Sequence, residues 1–274
     1  MISKNPFKII KILKIMNRAI PTVTKNLLLL NTIFFIGTYI LSVRGIDLTV
    51  IFGAYFPLSP NFHWYQIISH MFMHGGFTHF FFNMFSLWMF GSAVEQSLGP
   101  KKYLILYFVC GLGAFALFNM VNYFEFKQVY DSLVSANVPL NEVSKYAKLS
   151  YEITNNNLEQ KAYAWLNTLP KGTDQYVASK LYIDLVTPMV GASGAIYGIL
   201  VAFGVMFPNS VLMLIFPPIP MKAKYFIPIM VLLELYLGLQ QSQGDNVAHF
   251  AHLGGAVFGY FMTRHWVKNR YRWN

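Results

Sequence analysis

The sequence predicts an all-α membrane protein of six transmembrane helices. Three observations carry that expectation. Of 274 residues, 55% are apolar and only 12% charged, against about 25% charged in an average soluble domain. Six apolar stretches are long enough to cross about 30 Å of hydrocarbon, which takes roughly 20 helical residues. Lys and Arg gather in alternate connections between those stretches. This composition excludes a disordered chain and an ordinary cytosolic enzyme. The single cysteine, Cys110, excludes an internal disulfide and a Cys-rich metal site. With a net charge of +10 and a mean hydropathy of +0.43, anionic lipid is the expected counter-charge, and no nucleic-acid partner is expected.

The chain opens with a basic arm, residues 1–25. There Lys8, Lys11, Lys14 and Arg18 alternate with Ile9, Ile10, Ile12, Leu13 and Ile15, the pattern of an amphipathic helix lying on a membrane surface. No small-residue cleavage site follows, so it is not read as a signal peptide. The expected spans are 26–43, 77–97, 102–124, 190–207, 222–241 and 246–264, followed by a basic tail, 265–274. Segment 45–76 contains Asp47 and no Lys or Arg, and the link 242–245 contains only Asp245 among charged residues. The long polar segment 127–184 balances six Lys against six acids and is expected to fold as a small helical subdomain outside the membrane. The arm, the loop with Lys101 and Lys102, the loop ending in Lys222 and Lys224, and the tail hold 14 of the 21 basic residues. An even number of spans then puts both termini in the cytoplasm. The expected location is a bacterial inner (plasma) membrane.

Polar side chains inside a span are costly and mark function. Span two and its approach carry His70, His74, His79 and Asn83; span four opens with Gly191-Ala192-Ser193-Gly194-Ala195-Ile196-Tyr197-Gly198; span five has Glu234; span six has Asn246, His249 and His252. At 1.5 Å per residue, Ser193 lies about 22 Å above Pro208, His252 about 18 Å above Arg264, and Asn83 and His79 about 18 and 24 Å above Glu95. These groups therefore share one layer. Small residues at Gly191, Gly194, Ala195, Gly198 and Ala202 on span four, and at Ala248, Ala251, Gly255 and Gly259 on span six, allow the two backbones to approach closely. A serine hydroxyl needs a base to become a nucleophile, and a neutral histidine is the usual one. Because spacing places no Asp or Glu to orient that histidine, a two-residue Ser–His arrangement is expected. Asn83 and His79, four apart on one helical face, and the Ser193 N–H would supply oxyanion donors.

His79-x-x-x-Asn83, Gly191-Ala192-Ser193-Gly194 with Tyr197 and Gly198, and Ala248-x-x-x-His252-x-x-Gly255-x-x-x-Gly259 occur in this order on successive spans. In this the chain resembles the rhomboid family of intramembrane serine proteases. The resemblance implies a six-helix rhomboid-like bundle over 26–264, interrupted by the 127–184 insertion. It implies Ser193 as nucleophile, His252 as general base, His79 and Asn83 as oxyanion donors, and Gly191, Gly194 and Tyr197 in support. Tyr197 matches the aromatic that packs against the base, and Glu95 matches a structural position. Where the family commonly has a Trp-Arg pair in the first outer loop, this chain has Tyr65-Gln66 beside Trp64. The implied activity is endoproteolysis in or next to transmembrane segments of other proteins, without metal or other cofactor. Span five, with Pro228 and the short link after it, is the lateral gate by the same resemblance.

Other readings are weighed against this one. His249 competes with His252 as the base, but the glycine spacing favours His252. His70 and His74 stand four apart, as metal ligands can, but hydrogen bonding in the loop near the site is the preferred reading. A non-catalytic rhomboid-like binder or chaperone of transmembrane helices is the alternative function, although such relatives typically lack the serine or the histidine. A transporter or metal protein built on the five histidines of spans two and six has no inverted repeat behind it, and the H-E-x-x-H metalloprotease motif is absent.

Overall fold

A computed structural model of the chain describes residues 19–138, 140, 142–213, 219–240 and 247–269. The expected amphipathic helix before residue 19, the link 242–245 and residues 270–274 of the tail lie outside the described residues.

Helix α1 (Thr22–Ser42) starts at Pro21, which offers no side-chain cap. Its free first-turn donors go instead to Glu95, which accepts from the Val23 N–H at 2.9 Å, the Thr24 N–H at 2.7 Å and the Thr24 hydroxyl at 2.8 Å. The structural position expected at Glu95 is thus a cap supplied from another helix. The first outer segment contains α2 (Leu48–Phe52) and α3 (Gln66–Ser69). Fully buried Gln66 ties it together, donating to the carbonyls of Ile51 (3.2 Å) and Asn61 (3.1 Å) and accepting from the His63 N–H (2.9 Å). A long amide can serve two carbonyls and one N–H at once, which explains a glutamine at this position. Trp64, two residues earlier, stays 80% exposed.

Helix α4 (Phe77–Ser86), a π turn (Leu87–Gly91) and α5 (Ser92–Leu98) form one rod, with right-handed backbone through both junctions. Gly99, at φ 81°, ends it, and Pro100 begins the next helix. That helix, α6 (Pro100–Ser135), has 36 residues, about 54 Å and well beyond what hydrocarbon requires. The insertion expected to begin at 127 therefore begins as a continuation of a helix. Helices α7 (Val143–Ala147), α8 (Leu158–Leu166) and α9 (Gln175–Val186) follow. They enclose a core of their own in which Trp165, Leu133, Leu181 and Tyr182 are buried, together with Phe56 from the first outer segment. Buried Asn61 joins the two, donating to the Ala147 carbonyl and accepting from the Leu149 N–H, both at 2.8 Å.

Helix α10 (Ser193–Met206) is followed by strands β1 (Val211–Met213) and β2 (Pro220–Lys222), paired antiparallel with Leu212 opposite Met221. Helices α11 (Ala223–Gln240) and α12 (His249–Asn269) complete the described chain. Along α10 nearly every side chain from Gly194 to Phe203 is buried, so the helix is apolar all round and sits at the centre. Its neighbours approach through glycine. A β-carbon on Gly255 would overlap the Gly194 carbonyl, and one on Gly259 would overlap that of Gly198. One on Gly198 would also meet Cys110, whose small buried side chain fills the crossing with α6.

Three helices among the described residues, α1, α6 and α11, are long and apolar enough to cross a membrane. Helix α10, at 14 residues, is shorter than the expected 190–207 because the chain before Ser193 is not helical. Helix α12 starts at His249 rather than 246, and His249, His252, Arg264, His265 and Lys268 dilute its apolar content.

Candidate active site

The N-terminus of α10 is held by three backbone straps. Ala54 and Met189 exchange hydrogen bonds at 2.9 and 2.8 Å, and the Gly191 N–H reaches the His70 carbonyl at 2.9 Å. Gly191 then turns the chain at φ 124°, a region that side chains disfavour, and a β-carbon there would come within 2.9 Å of His79 Nε2. The backbone angle favours glycine, and any larger residue would also have to displace the His79 ring. Ser193 follows as the first residue of the helix, where backbone N–H groups have no intrahelical acceptor.

Ser193 Oγ lies 2.9 Å from His252 Nε2. Tyr197, one turn beyond Ser193, stacks on the His252 ring with centroids 4.3 Å apart and planes within 9°. Behind the ring stands Glu234 of α11, and its Oε2 is 2.9 Å from His252 Nδ1 and 2.6 Å from His249 Nδ1. Its other oxygen, Oε1, accepts from the Tyr197 hydroxyl. All three of Glu234, His249 and His252 are buried. The expectation that no carboxylate reaches the histidine is thus corrected: an acid from a neighbouring helix hydrogen-bonds to it. An ionised carboxylate only accepts, so with Glu234 ionised the hydrogen of His252 belongs on Nδ1 and Nε2 is an acceptor toward Ser193.

His79 and Asn83 share a face of α4. The His79 ring is placed beside Gly191, as the close approach above shows. Asn83 is buried, and its Nδ2 has no acceptor among the described residues. A buried amide donor without a partner is costly, and it can donate to a group that enters beside it. The structure does not bring His70 into this group: its Nδ1 is bonded to the Gln66 carbonyl at 2.8 Å. His74 packs edge-on to His79, ring centroids 5.3 Å apart. Among the described residues, the group of three His and acid side chains whose ligand atoms lie within 4.8 Å of one another is Glu234, His249 and His252, and it contains neither His70 nor His74. A void of about 220 Å³ between Ser97, Leu98, Lys102, Met206, Trp266 and Val267 contributes no group to the site.

The family model for the rhomboid domain matches residues 61–126 and 157–269. The chain belongs to the rhomboid family. Among curated proteins it is similar to Rhomboid protease AarA of Providencia stuartii, 30% identical over 221 residues, which is 77% of this chain and 59% of that protein. It is also similar to Putative rhomboid protease YdcA of Bacillus subtilis, 36% identical over 52 residues, covering 19% of this chain and 26% of that protein. Rhomboid protease GluP of Bacillus subtilis is 30% identical over 104 residues, 36% of this chain and 20% of its own length. These matches thus span less than two thirds of each relative. The two segments of the rhomboid match contain Ser193, His252, His79, Asn83, Glu234 and His249, and leave 127–156 between them unmatched. With its apolar helices, this rhomboid chain is an integral membrane protein.

Sequence reasoning missed the contacts of Glu234 because no repeat spacing links an acid on one helix to a histidine on the next. A signal existed. Counted from Lys224, Glu234 lies about 15 Å up, close to the roughly 18 Å found for His252.

Proposed function

We propose that this chain is an intramembrane serine endopeptidase that hydrolyses peptide bonds in or next to transmembrane segments of other membrane proteins. The observation that carries the reading is the 2.9 Å hydrogen bond between Ser193 Oγ and His252 Nε2. The names of the similar proteins, all rhomboid proteases or putative ones, agree with it.

In the proposed reaction His252 Nε2 takes the Ser193 proton as Oγ bonds to the substrate carbonyl carbon. The carbonyl oxygen becomes an anion, received by the Ser193 N–H, His79 and Asn83 Nδ2. Donors positioned before the charge develops need no reorganisation when it does, which is why such sites accelerate acyl transfer. Collapse breaks the C–N bond, and His252 returns its proton to the leaving amine. Water then attacks the acyl-serine, losing its proton to His252, and Ser193 regains its hydrogen. Deacylation needs a path for water to Ser193, which is half-buried and not fully enclosed by the chain.

The proposed topology has six spans: α1, the α4–α5 rod, α6, α10, α11 and α12. The arm 1–25 and the tail 265–274 are cytoplasmic, and α7 to α9 lie on the far side of a bacterial plasma membrane. A substrate helix shields its carbonyls by hydrogen bonding, so cleavage is expected near the outer membrane boundary, where Gly or Pro loosens it.

The test is incubation of the purified chain, in detergent and in vesicles, with single-span substrates, and mapping of new termini. Cleavage by the wild type and none by Ser193→Ala is expected. Binding without cleavage by the wild type would favour the non-catalytic binder and overturn the reading.

A further inference from the structure

Glu234 is a buried carboxylate on a helix that supplies neither Ser193 nor His252, yet it contacts the imidazole on the side away from the serine. Resting on the hydrolytic reading above, we propose that Glu234 is a positioning residue of the reaction, turning the Ser193–His252 pair into a three-member Ser–His–Glu arrangement.

Three features of the geometry support this. First, the carboxylate sets the tautomer: an acceptor at Nδ1 keeps the hydrogen there, so Nε2 can accept from Ser193. In the other tautomer Nε2 would carry a hydrogen and could not act as base. Second, when His252 gains the Ser193 proton it becomes a cation, and a carboxylate oxygen 2.9 Å from Nδ1 stabilises that cation where little water is present. Third, the carboxylate is itself held. Oε1 accepts from Tyr197, whose ring also stacks on His252, and Oε2 accepts from His249. With donors on both oxygens, Glu234 is a satisfied buried anion, and the imidazole plane has little freedom to turn.

The same three side chains carry ligand atoms close enough for a cation. However, Glu234 Oε2 lies 2.6 and 2.9 Å from the two Nδ1 atoms, whereas two ligands of a tetrahedral zinc with bonds near 2.05 Å stand about 3.3 Å apart. The observed spacing is that of hydrogen bonds.

The experiment measures kcat and KM separately for a single-span substrate, with full-length protein in vesicles. Glu234→Gln, which keeps the size and loses the charge, is expected to lower kcat by roughly 100-fold or more with KM little changed; amide replacement of the carboxylate in a soluble triad costs about 10⁴. Glu234→Asp, which keeps the charge, should recover part of the loss. A second readout needs no variant at position 234: in wild type enriched with ¹⁵N-histidine, neutral His252, assigned by the signal lost in His252→Ala, should be the Nδ1–H tautomer. Full kcat in Glu234→Gln, or the Nε2–H tautomer in wild type, would overturn the proposal while wild-type cleavage leaves the hydrolytic reading standing. Loss of wild-type cleavage on chelation, restored by stoichiometric zinc, would also overturn it by making the trio a metal site. If the wild type cleaves nothing, it is the hydrolytic reading that fails.

Discussion

Gly194 and Gly255 meet so closely across the α10–α12 crossing that a β-carbon on Gly255 would run into the Gly194 carbonyl oxygen. Ser193 is the residue before the first of these glycines, and His252 is three residues before the second. The crossing therefore sets the distance between the hydroxyl and the imidazole, and the packing of two helices is also the construction of the site.

Gly255→Ala puts a methyl group against backbone that has no room to yield. Overpacking of a filled core costs about 1–3 kcal/mol. The variant should melt several degrees below wild type and lose cleavage out of proportion to the fraction unfolded, because α12 is pushed away from Ser193. Wild-type melting and turnover together would contradict this.

His252 and His249 both point Nδ1 at Glu234, but the Ser193 bond belongs to His252. His252→Ala should abolish cleavage. His249→Ala leaves Glu234 bonded to Tyr197 and His252, and should retain activity within about tenfold, the range of one lost supporting hydrogen bond. Cleavage assays on the two variants decide between the histidines, and the reverse pattern would assign the base to His249.

Asn83 Nδ2 is a buried donor with no acceptor among the described residues. Asn83→Ala should lower kcat by about 10²–10³, the usual effect of deleting one oxyanion donor. It should leave the melting temperature unchanged or slightly raised, since an unsatisfied group is removed. Unchanged kcat would take Asn83 out of the oxyanion site.

Asp184, half-buried on α9, has its carboxyl pushed up from 3.8 to about 6 by burial, with Lys180 pulling it down and Glu125 pushing it up. The folded form binds the proton more tightly than the unfolded form. The stability this carboxyl contributes is therefore full below about pH 4 and is lost as pH rises through about 6. Asp184→Asn should match wild type near pH 4 and exceed it at about pH 7.5. The gain, discounted for half exposure, is about 1 kcal/mol. Thermal unfolding at the two pH values checks this, and equal melting at both would contradict it.

What the sequence made legible was whatever repeats along one helix. The small-residue spacing of 191–202 and 248–259 announced two backbones able to touch, and residue counting put Ser193 and His252 at one depth. Boundaries were less legible. Helix α6 continues past 127 because nothing between Phe126 and Ser135 breaks it, and its residues Phe126 and Leu133 join the insertion core. The span expected from 190 begins at Ser193 because Gly191 takes a backbone conformation no helix contains. Least legible was Glu234, a lone acid in an apolar stretch. Its partners are 15 and 18 residues away on another helix, and only the rotation of α11 about its axis brings them together.

The most direct measurement is reaction of the native, membrane-embedded protein with a fluorophosphonate, followed by peptide mass spectrometry. A single adduct on Ser193, absent in His252→Ala, is the predicted result. No adduct under conditions where the protein is folded, or an adduct that persists in His252→Ala, would contradict activation of Ser193 by His252.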